Sequence, residues 1–252
     1  MYSRVEEWIS SMGFVADAKI LYHLLLKPVR GKTHEDRLES FYGGQAQDYD
    51  RFRRRLLQGR EQLWQQLTVP EGGIWVDMGG GTGANLEFFG DKLSRLQKVY
   101  VVDLSQSLLD RAQQRIDAEG WGNVTTVKAD ATTFCPAEGA ADVVTFSYSL
   151  TMIPDWFSAI DNARTILRPG GQIGVVDFYV SRKHPEANLR KHGWLTRTGW
   201  PAWFGFDNVY PSSEHIPYLR RHFEEVCLCE ERAEVPYLPL VRVPYYTFVG
   251  KR

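Results

Sequence analysis

Cysteine is scarce in this chain of 252 residues, and its charges nearly cancel. The three cysteines, Cys135, Cys227 and Cys229, lack the spacing of zinc ligands, and their odd number argues against a disulfide framework. This usage is typical of a reducing compartment, so we expect a cytoplasmic protein. The net formal charge of −1 provides no broad positive field, and we expect no nucleic-acid partner.

Long apolar runs are also missing. The longest stretch, Ile20 to Leu26, is interrupted by His23 and is far shorter than the about 20 residues that a membrane-spanning helix needs. The first residues carry acids and Trp8 and show no cleavage pattern of a signal peptide. The six histidines show no metal-ligand spacing. These absences favour a soluble or membrane-peripheral protein without a metal site.

A glycine-rich loop is the most informative feature that is present. Residues Asp77 to Gly83 read Asp-Met-Gly-Gly-Gly-Thr-Gly, directly after the apolar run 74–76 and before an amphipathic segment. Glycines allow a ligand to approach the backbone closely, and the N-terminus of the following helix presents free N–H groups to it. Asp103 ends the next apolar run, 20 residues after Gly83, at a spacing where a carboxylate reaches a ribose. The pattern predicts a site for a nucleoside cofactor.

Two cofactors fit this loop, a dinucleotide and S-adenosylmethionine. An acid at the loop entrance repels a pyrophosphate but attracts an ammonium group, which favours the second. The loop, together with the later turn 167–171 (Leu-Arg-Pro-Gly-Gly), resembles the class I S-adenosylmethionine-dependent methyltransferases. Their signature, acid-x-Gly-x-Gly-x-Gly, is matched at Asp77, Gly79, Gly81 and Gly83. An NAD-dependent enzyme remains the alternative, because the loop also satisfies the dinucleotide pattern.

Strands and helices alternate along the chain from residue 74. Apolar runs predict strands at 74–78, 98–103, 123–128, 142–147 and 172–179, and a closing pair at 225–229 and 245–249. Helical periodicity predicts helices at 84–95, 105–118 and 155–167, with Ser105 and Asp155 as N-caps. The alternation predicts an α/β fold with helices on both faces of a parallel sheet. The resemblance implies a Rossmann-like fold of seven mostly parallel strands with an antiparallel last strand.

Two regions are expected along the chain. Residues 1–67 form a helical extension with cofactor-covering helices, and residues 68–252 form the methyltransferase domain. An aromatic insertion at about 181–221 interrupts the second region and is expected to bind the substrate.

The resemblance also assigns roles to individual residues. Asp77 and the loop glycines hold the methionine moiety, Asp103 accepts from the ribose hydroxyls, and Leu104 packs on the adenine. Asp130 and Ala131 contact the adenine edge, although an aspartate after a strand is also a common turn residue. The candidates near the transferable methyl group are Ser147 and Tyr148 after the fourth strand, Tyr42 or Tyr49 as a covering tyrosine, and His215 as a proton carrier. Alternatively, these tyrosines only pack a helix on the core.

The acceptor is suggested by an aromatic stretch, residues 194–210, which carries three tryptophans beside Arg197. It suits a cage for a cationic methylated amine, a membrane-facing lip, or a packed cover over the sheet. Several stretches resemble the N-methyltransferase component of betaine-lipid synthesis: 49–53, 56–61, 212–223, 235–239 and 243–246. This resemblance implies methylation of the amine of diacylglyceryl-homoserine, a peripheral membrane contact, and a separate aminocarboxypropyl transferase as partner.

Two other functions remain open. One is a methyltransferase for a soluble small molecule or a quinone ring, although no constellation of residues that would activate a phenol is evident. The other is an inactive partner subunit that binds the cofactor. The basic segment 51–55 reads as a solvated helix face, and residues 1–30 as an amphipathic helix with a basic end that is able to bind a membrane.

Overall fold

The computed structural model describes residues 55–205, 208–236, 238 and 240–252. The helices are α1 (Arg60–Gln66), α2 (Ala84–Arg95, mostly of 3₁₀ turns), α3 (Gln106–Glu119), α4 (Trp156–Ile166), α5 (Trp194–Gly205) and α6 (His215–His222). The strands are β1 (Ile74–Met78), β2 (Lys98–Asp103), β3 (Val124–Lys128), β4 (Ala141–Ser147), β5 (Leu167–Phe178), β6 (Glu224–Glu234) and β7 (Arg242–Lys251). None of these helices is long and apolar enough to cross a membrane.

The seven strands form one sheet in the order β3-β2-β1-β4-β5-β7-β6. Strands β1 to β5 run parallel, whereas β7 lies antiparallel between β5 and β6. This arrangement confirms the predicted α/β fold with an antiparallel last strand. Ligands of open parallel sheets bind beyond the carboxyl ends of the strands, at the point where the strand order reverses. Here that point lies between β1 and β4.

Strand β1 is central, and its sequence explains why. All five of its residues are buried, because helices cover both faces of the sheet. On one face Trp75 packs edge-on against Phe89 of α2, with ring centroids 4.6 Å apart, and stacks on Trp64 of α1 at 6.0 Å. On the other face Ile74, Val76 and Met78 belong to the core that α4 and α6 cover. The glycine loop therefore begins on a rigid support.

Helix ends follow the sequence closely. The predicted N-caps are confirmed: the Leu108 N–H donates to Ser105 Oγ at 3.4 Å, and the Ser158 N–H donates to Asp155 Oδ1 at 3.2 Å. Both caps satisfy amides that a helix start leaves without an intrahelical partner.

Three strands are longer than predicted, and two helices are additional. Strands β6 (Glu224–Glu234) and β7 (Arg242–Lys251) extend beyond the predicted 225–229 and 245–249. Strand β5 begins at Leu167 and not at residue 172, because Leu167 already pairs with Ala141 before a bulge in the ladder. Helices α5 and α6 were not predicted from the sequence. Their segments carry prolines, glycines and aromatic rings, which give weak helical patterns, and packing on the sheet supplies the missing stability.

Candidate active site

The glycine loop turns sharply between β1 and α2. Gly79, Gly81 and Gly83 have φ angles of 68°, 57° and 67°, a region that other residues adopt at a cost. At Gly79 a Cβ atom would lie 2.4 Å from the Cβ of Ser149, so the close approach itself requires glycine. The N–H groups of Gly79 and Gly80 donate to the Val102 carbonyl at 2.8 and 3.0 Å and fix the loop to β2.

Asp77 is buried under this loop. Its carboxylate accepts hydrogen bonds from Thr145 Oγ1 at 2.7 Å and from Asn85 Nδ2 at 3.0 Å. Burial raises the pKa of Asp77 to about 6, although these two hydrogen bonds act in the opposite direction. The carboxylate thus holds β4 and α2 at the loop, and it is not among the residues that line the large cavity described below. Its expected contact with the cofactor ammonium remains a proposal.

Asp103 ends β2 beside the same loop. Its Oδ2 accepts the Gly81 N–H at 3.0 Å, and its Oδ1 accepts the Ser105 N–H at 2.9 Å. These bonds orient the carboxylate toward a cavity of about 330 Å³ at the carboxyl ends of the strands. Leu104 lines that cavity next to it. The arrangement suits a nucleoside whose ribose faces the acid and whose base lies on the leucine.

Asp130 and Ala131 lie across the cavity, in the loop after β3. Asp130 Oδ1 accepts the Thr132 N–H at 2.8 Å, which shapes a turn, and Ala131 is buried in the wall. The remaining lining residues include two of the loop glycines and part of the segment after β4: Gly79, Gly81, Tyr148, Ser149, Met152 and Ile153. The structure therefore brings the predicted nucleoside contacts Asp103, Leu104, Asp130 and Ala131 to a single cavity.

A second, smaller cavity of about 30 Å³ adjoins the other side of the glycine loop. Arg60 and Asn85 line it together with Ser147. The Arg60 side chain is buried; its Nε donates to the Leu57 carbonyl at 3.1 Å and its Nη1 to Asn85 Oδ1 at 3.5 Å. A buried cation beside a backbone loop provides a counter-charge for the carboxylate end of an amino acid.

Sequence reasoning missed Arg60 and Asn85. Arg60 follows the basic segment 51–55, which the sequence alone presents as a solvated helix face. One signal was available in the sequence: the apolar residues Leu63 and Trp64 follow Arg60 at the i+3 and i+4 positions of a helix, which puts all three on one face. In the structure this face of α1 is buried against the core.

Ser147 is the last residue of β4, and Tyr148 follows it. Ser147 Oγ donates to Asn85 Oδ1 at 3.5 Å, and Tyr148 Oη donates to the Gln58 carbonyl at 2.6 Å. Tyr148 has a φ of 54°, a strained conformation for a residue with a side chain, and such strain is often found at functional sites. Burial raises the pKa of Tyr148 well above its ordinary value, so its hydroxyl stays protonated at neutral pH.

A row of packed aromatic rings connects Tyr148, on the cavity wall, with helix α5. Tyr148 contacts Phe178 with centroids 4.6 Å apart, and Phe178 stacks on Phe204 of α5 at 5.0 Å. Phe204 stacks on Trp200 at 5.5 Å, which contacts Trp203 at 5.9 Å. We call these five residues the aromatic row. Most of the aromatic stretch thus forms helix α5, which packs on Phe178 at the end of β5.

His215 lies away from these groups. Its imidazole is fully buried, with Trp156 edge-on at 4.7 Å, and within the part of the chain that the structure describes both of its ring nitrogens lack hydrogen-bond partners. Burial lowers the pKa of His215 to about 3, so the ring is neutral at physiological pH. It does not line the large cavity. A role in proton transfer stays a prediction, and the surroundings do not favour it.

Tyr42 and Tyr49, like the proposed membrane helix at 1–30, lie outside the described residues. Asp177, near the end of β5, is fully buried: its carboxylate accepts from Thr151 Oγ1 at 2.7 Å and from the Phe178 N–H at 2.8 Å, and burial raises its pKa to about 7. Within the described ranges no three histidine, cysteine or acidic side chains are arranged to hold a metal ion.

Comparison with known proteins agrees with this site. Residues 30–191, more than half of the chain, match the ubiE/COQ5 methyltransferase family. The ubiquinone/menaquinone biosynthesis C-methyltransferase UbiE of Klebsiella pneumoniae is 25% identical over 170 residues, which cover 65% of this chain and 68% of that protein. The finer resemblance to betaine-lipid enzymes stays a prediction, because the relatives found are named for quinone methylation.

Solved structures share the fold at lower identity. The YcgJ protein of Bacillus subtilis superposes with a TM-score of 0.58 and 13% identity, over 77% of this chain and 97% of its own. The N-methyltransferase NodS of Bradyrhizobium japonicum, solved with S-adenosylhomocysteine, has a TM-score of 0.55 and 18% identity, over 77% and 85% of the two chains.

Fold, loop and family agree on the cofactor and on the class of reaction. The residues around the two cavities fit S-adenosylmethionine: acids at the nucleoside end, a glycine loop in the middle, and a buried cation at the amino-acid end. The chain is therefore an S-adenosylmethionine-dependent methyltransferase and belongs to the ubiE/COQ5 methyltransferase family.

Proposed function

We propose that this methyltransferase acts on a lipophilic small molecule, with a quinone-type ring as the first acceptor. The observation that carries the proposal is the aromatic row, a set of packed rings that connects Tyr148 on the cavity wall with Trp200 and Trp203 of α5. A ring acceptor stacks favourably on an aromatic face such as that of Tyr148, and the partly exposed rings of α5 favour an apolar tail. The name of the Klebsiella relative, which refers to quinone biosynthesis, supports the same class of acceptor.

The chain's own residues have a limited task in such a reaction. Bound S-adenosylmethionine supplies a methyl group on a positively charged sulfur. Transfer is a direct displacement, so the protein mainly aligns the acceptor atom with that methyl group. Tyr148 and Phe178 are suited to this alignment, because the first is fixed by its hydrogen bond to the Gln58 carbonyl and packs on the second.

A second acceptor class, the amine of a lipid head group, is supported by a separate observation. The Nε of Arg197 is buried and has no hydrogen-bond partner among the described residues. Arg197 lies on the same helix as Trp200 and Phe204, at the outer end of the aromatic row. A head group that carries a carboxylate would satisfy this donor, and aromatic faces stabilise a methylated ammonium. This combination matches the homoserine lipid that the sequence suggests.

The test is a transfer assay with the full chain and S-adenosylmethionine labelled in the methyl group. Three acceptors are offered separately: a demethylated quinol with a short isoprenoid tail, a diacylglyceryl lipid with a homoserine head group, and homoserine alone. We expect label in the quinol. Label in the homoserine lipid only would replace the quinone proposal with lipid N-methylation.

Label in homoserine alone at a comparable rate would contradict both proposals, since neither the ring nor the apolar body would then matter. The matched variants are Phe178→Leu in the aromatic row and Phe134→Leu, a buried phenylalanine in the opposite core. We expect the first to raise the KM for the lipophilic acceptor while affinity for S-adenosylhomocysteine stays normal. The second should leave both unchanged.

A further inference from the structure

The outward face of α5 has a composition that is unusual for a protein surface. Its exposed residues recur in adjacent pairs every four positions and carry no charge: Trp194, Leu195, Thr198, Gly199, Ala202 and Trp203. Three of them are large and apolar, with Trp194 67%, Leu195 76% and Trp203 38% exposed. Surface helices normally turn a charged or polar face outward. We call these six residues the outer face.

The inner side of the same helix belongs to the site already described. Phe204 and Trp200 form the outer part of the aromatic row, and Trp200 contacts Trp203 of the outer face at 5.9 Å. Tyr210, 58% exposed, follows α5, and its N–H donates to the Thr151 carbonyl at 2.8 Å, next to the residues that line the cavity. The outer face is therefore joined to the cavity wall by the packed rings of the aromatic row and by the segment that follows α5.

Positive charge surrounds the start of this helix. Residues 182–197 contain five lysines and arginines against one glutamate. Lys183, Arg190 and Lys191 are exposed in the segment that leads into Trp194. Each basic side chain near an anionic lipid surface contributes about 1 kcal/mol of attraction in general. Tryptophan and tyrosine rings, moreover, prefer the boundary between head groups and acyl chains.

We infer that the outer face docks on an anionic lipid bilayer and receives the acceptor directly from it. Trp194, Leu195 and Trp203 enter the head-group region while the basic segment lies on the phosphates. The aromatic row then leads the acceptor's reactive group inward. The delivery step relies on the lipophilic acceptor proposed above, whereas the docking itself does not.

A bilayer suits this surface better than a second copy of the chain. A stable protein interface uses roughly 20–30 residues on each side. The outer face offers six residues of one helix beside a strongly basic segment, and two such surfaces would repel each other. A helix that lies in the plane of a membrane needs only a strip of this size together with attraction to anionic lipid.

Flotation of the full chain with vesicles rich in phosphatidylglycerol tests the docking without any acceptor. The test variant is Leu195→Lys, and the matched control is Val226→Lys, which adds the same charge at an exposed apolar position of β6. We expect the wild type and the control to float at low salt. The apparent affinity of Leu195→Lys should fall by about tenfold or more, and high salt should weaken binding of the wild type.

Calorimetry with S-adenosylhomocysteine verifies that each variant is folded at the cofactor site. Equal flotation of Leu195→Lys and the wild type would overturn the inference. Light scattering that shows a dimer dissociating in Leu195→Lys, without vesicle binding by the wild type, would overturn it in favour of a second copy. Vesicle binding without transfer to any lipophilic acceptor would leave the docking in place and contradict only the proposed function.

Discussion

Two carboxylates close to the glycine loop, those of Asp77 and Asp103, differ in burial and therefore in the groups that they are able to bind. Asp77 is buried and joins side chains of the protein, whereas Asp103 is partly exposed on the cavity wall and accepts two backbone N–H groups. Desolvation raises the pKa of Asp77 to about 6. Asp103 is thus the better placed of the two to bind a ribose, and Asp77 to hold the loop in position.

Replacement of Asp103 by asparagine should weaken cofactor binding. The amide keeps the shape but loses the charge that strengthens hydrogen bonds from ribose hydroxyls and from the Gly81 N–H. We expect a loss of about 2 kcal/mol, or roughly thirtyfold in Kd, for S-adenosylhomocysteine by calorimetry. Asp110→Asn, at an exposed position of α3, is the control. Unchanged affinity in Asp103→Asn would remove this residue from the site.

Arg60→Met should reduce cofactor affinity in a different way. The methionine side chain retains much of the packing against Phe88 but removes the cation beside the glycine loop. We expect the affinity for S-adenosylhomocysteine to fall by about tenfold or more, while 5′-methylthioadenosine, which lacks the amino-acid end, binds as before. Arg95→Met, exposed at the end of α2, should change neither. An equal loss for both ligands would indicate a role in folding only.

His215 should govern part of the acid sensitivity of the fold. Its folded pKa, about 3, lies below the ordinary value of 6.5, so the unfolded chain binds more protons between these pH values. Stability from this group is therefore present above about pH 6.5 and is lost as the pH falls, at about 1.4 kcal/mol per unit. The raised pKa values of Asp77 and Asp177 act in the opposite direction.

Urea unfolding of His215→Leu and the wild type isolates this contribution. Between about pH 6.5 and 5 the difference in unfolding free energy should shift by about 2 kcal/mol in favour of the variant. Parallel pH curves for the two proteins would show that the buried imidazole is charged or has a proton partner.

The glycine loop is the element on which cofactor binding depends most. Gly81 and Gly72 have similar φ angles, 57° and 66°, so alanine at either position costs about 1 kcal/mol of backbone strain. A Cβ atom meets nothing within 4 Å at Gly72, and at Gly81 it comes no closer than 3.8 Å to the protein but points at the cavity wall. Of the two glycines, only Gly81 lines the large cavity.

Gly81→Ala and Gly72→Ala should therefore lose similar stability but differ in binding. We expect thermal unfolding to shift down by a few degrees in both. Calorimetry should show a large loss of affinity for S-adenosylhomocysteine in Gly81→Ala alone. Normal binding by that variant would place the cofactor away from the loop.

The elements that the sequence predicts well are those that packing and propensity favour together. Strand β1 and helix α2 have the predicted bounds, because an apolar run and a glycine turn define them without help from distant residues. Helix α5 contains Gly199 and Pro201 and has little helical propensity. It forms where Phe204 stacks on Phe178, a contact between distant positions that local patterns do not reveal.

The same distinction applies to the site. Asp103 and the loop glycines follow from a motif, since their role depends on spacing within a short stretch. Arg60 becomes a site residue only because α1 packs beside the loop and buries its guanidinium against Asn85. The aromatic row joins Tyr148, which follows β4, to residues of β5 and α5, so it forms only when the sheet is assembled.

At the scale of the whole molecule, the order of the strands in the sheet differs on one side from their order along the chain. β7 follows β6 along the chain but lies between β5 and β6, and it pairs with both over nearly its full length. Strand β6 contacts the rest of the sheet through β7. The half of the sheet from β3 to β5, by contrast, pairs through strands that precede residue 179.

During synthesis this strand order delays the pairing of β6. While the ribosome has released the chain only as far as residue 241, β6 has no strand to join, and its ladder bonds wait for residues 242–251. The cofactor cavity is framed by residues 79–155, so the nascent chain is able to assemble it earlier. In ribosome-stalled chains that expose residues up to 241, brief protease treatment should cut within 224–234 and spare β1 to β4. Protection of β6 at that length would mean that it folds against another surface first.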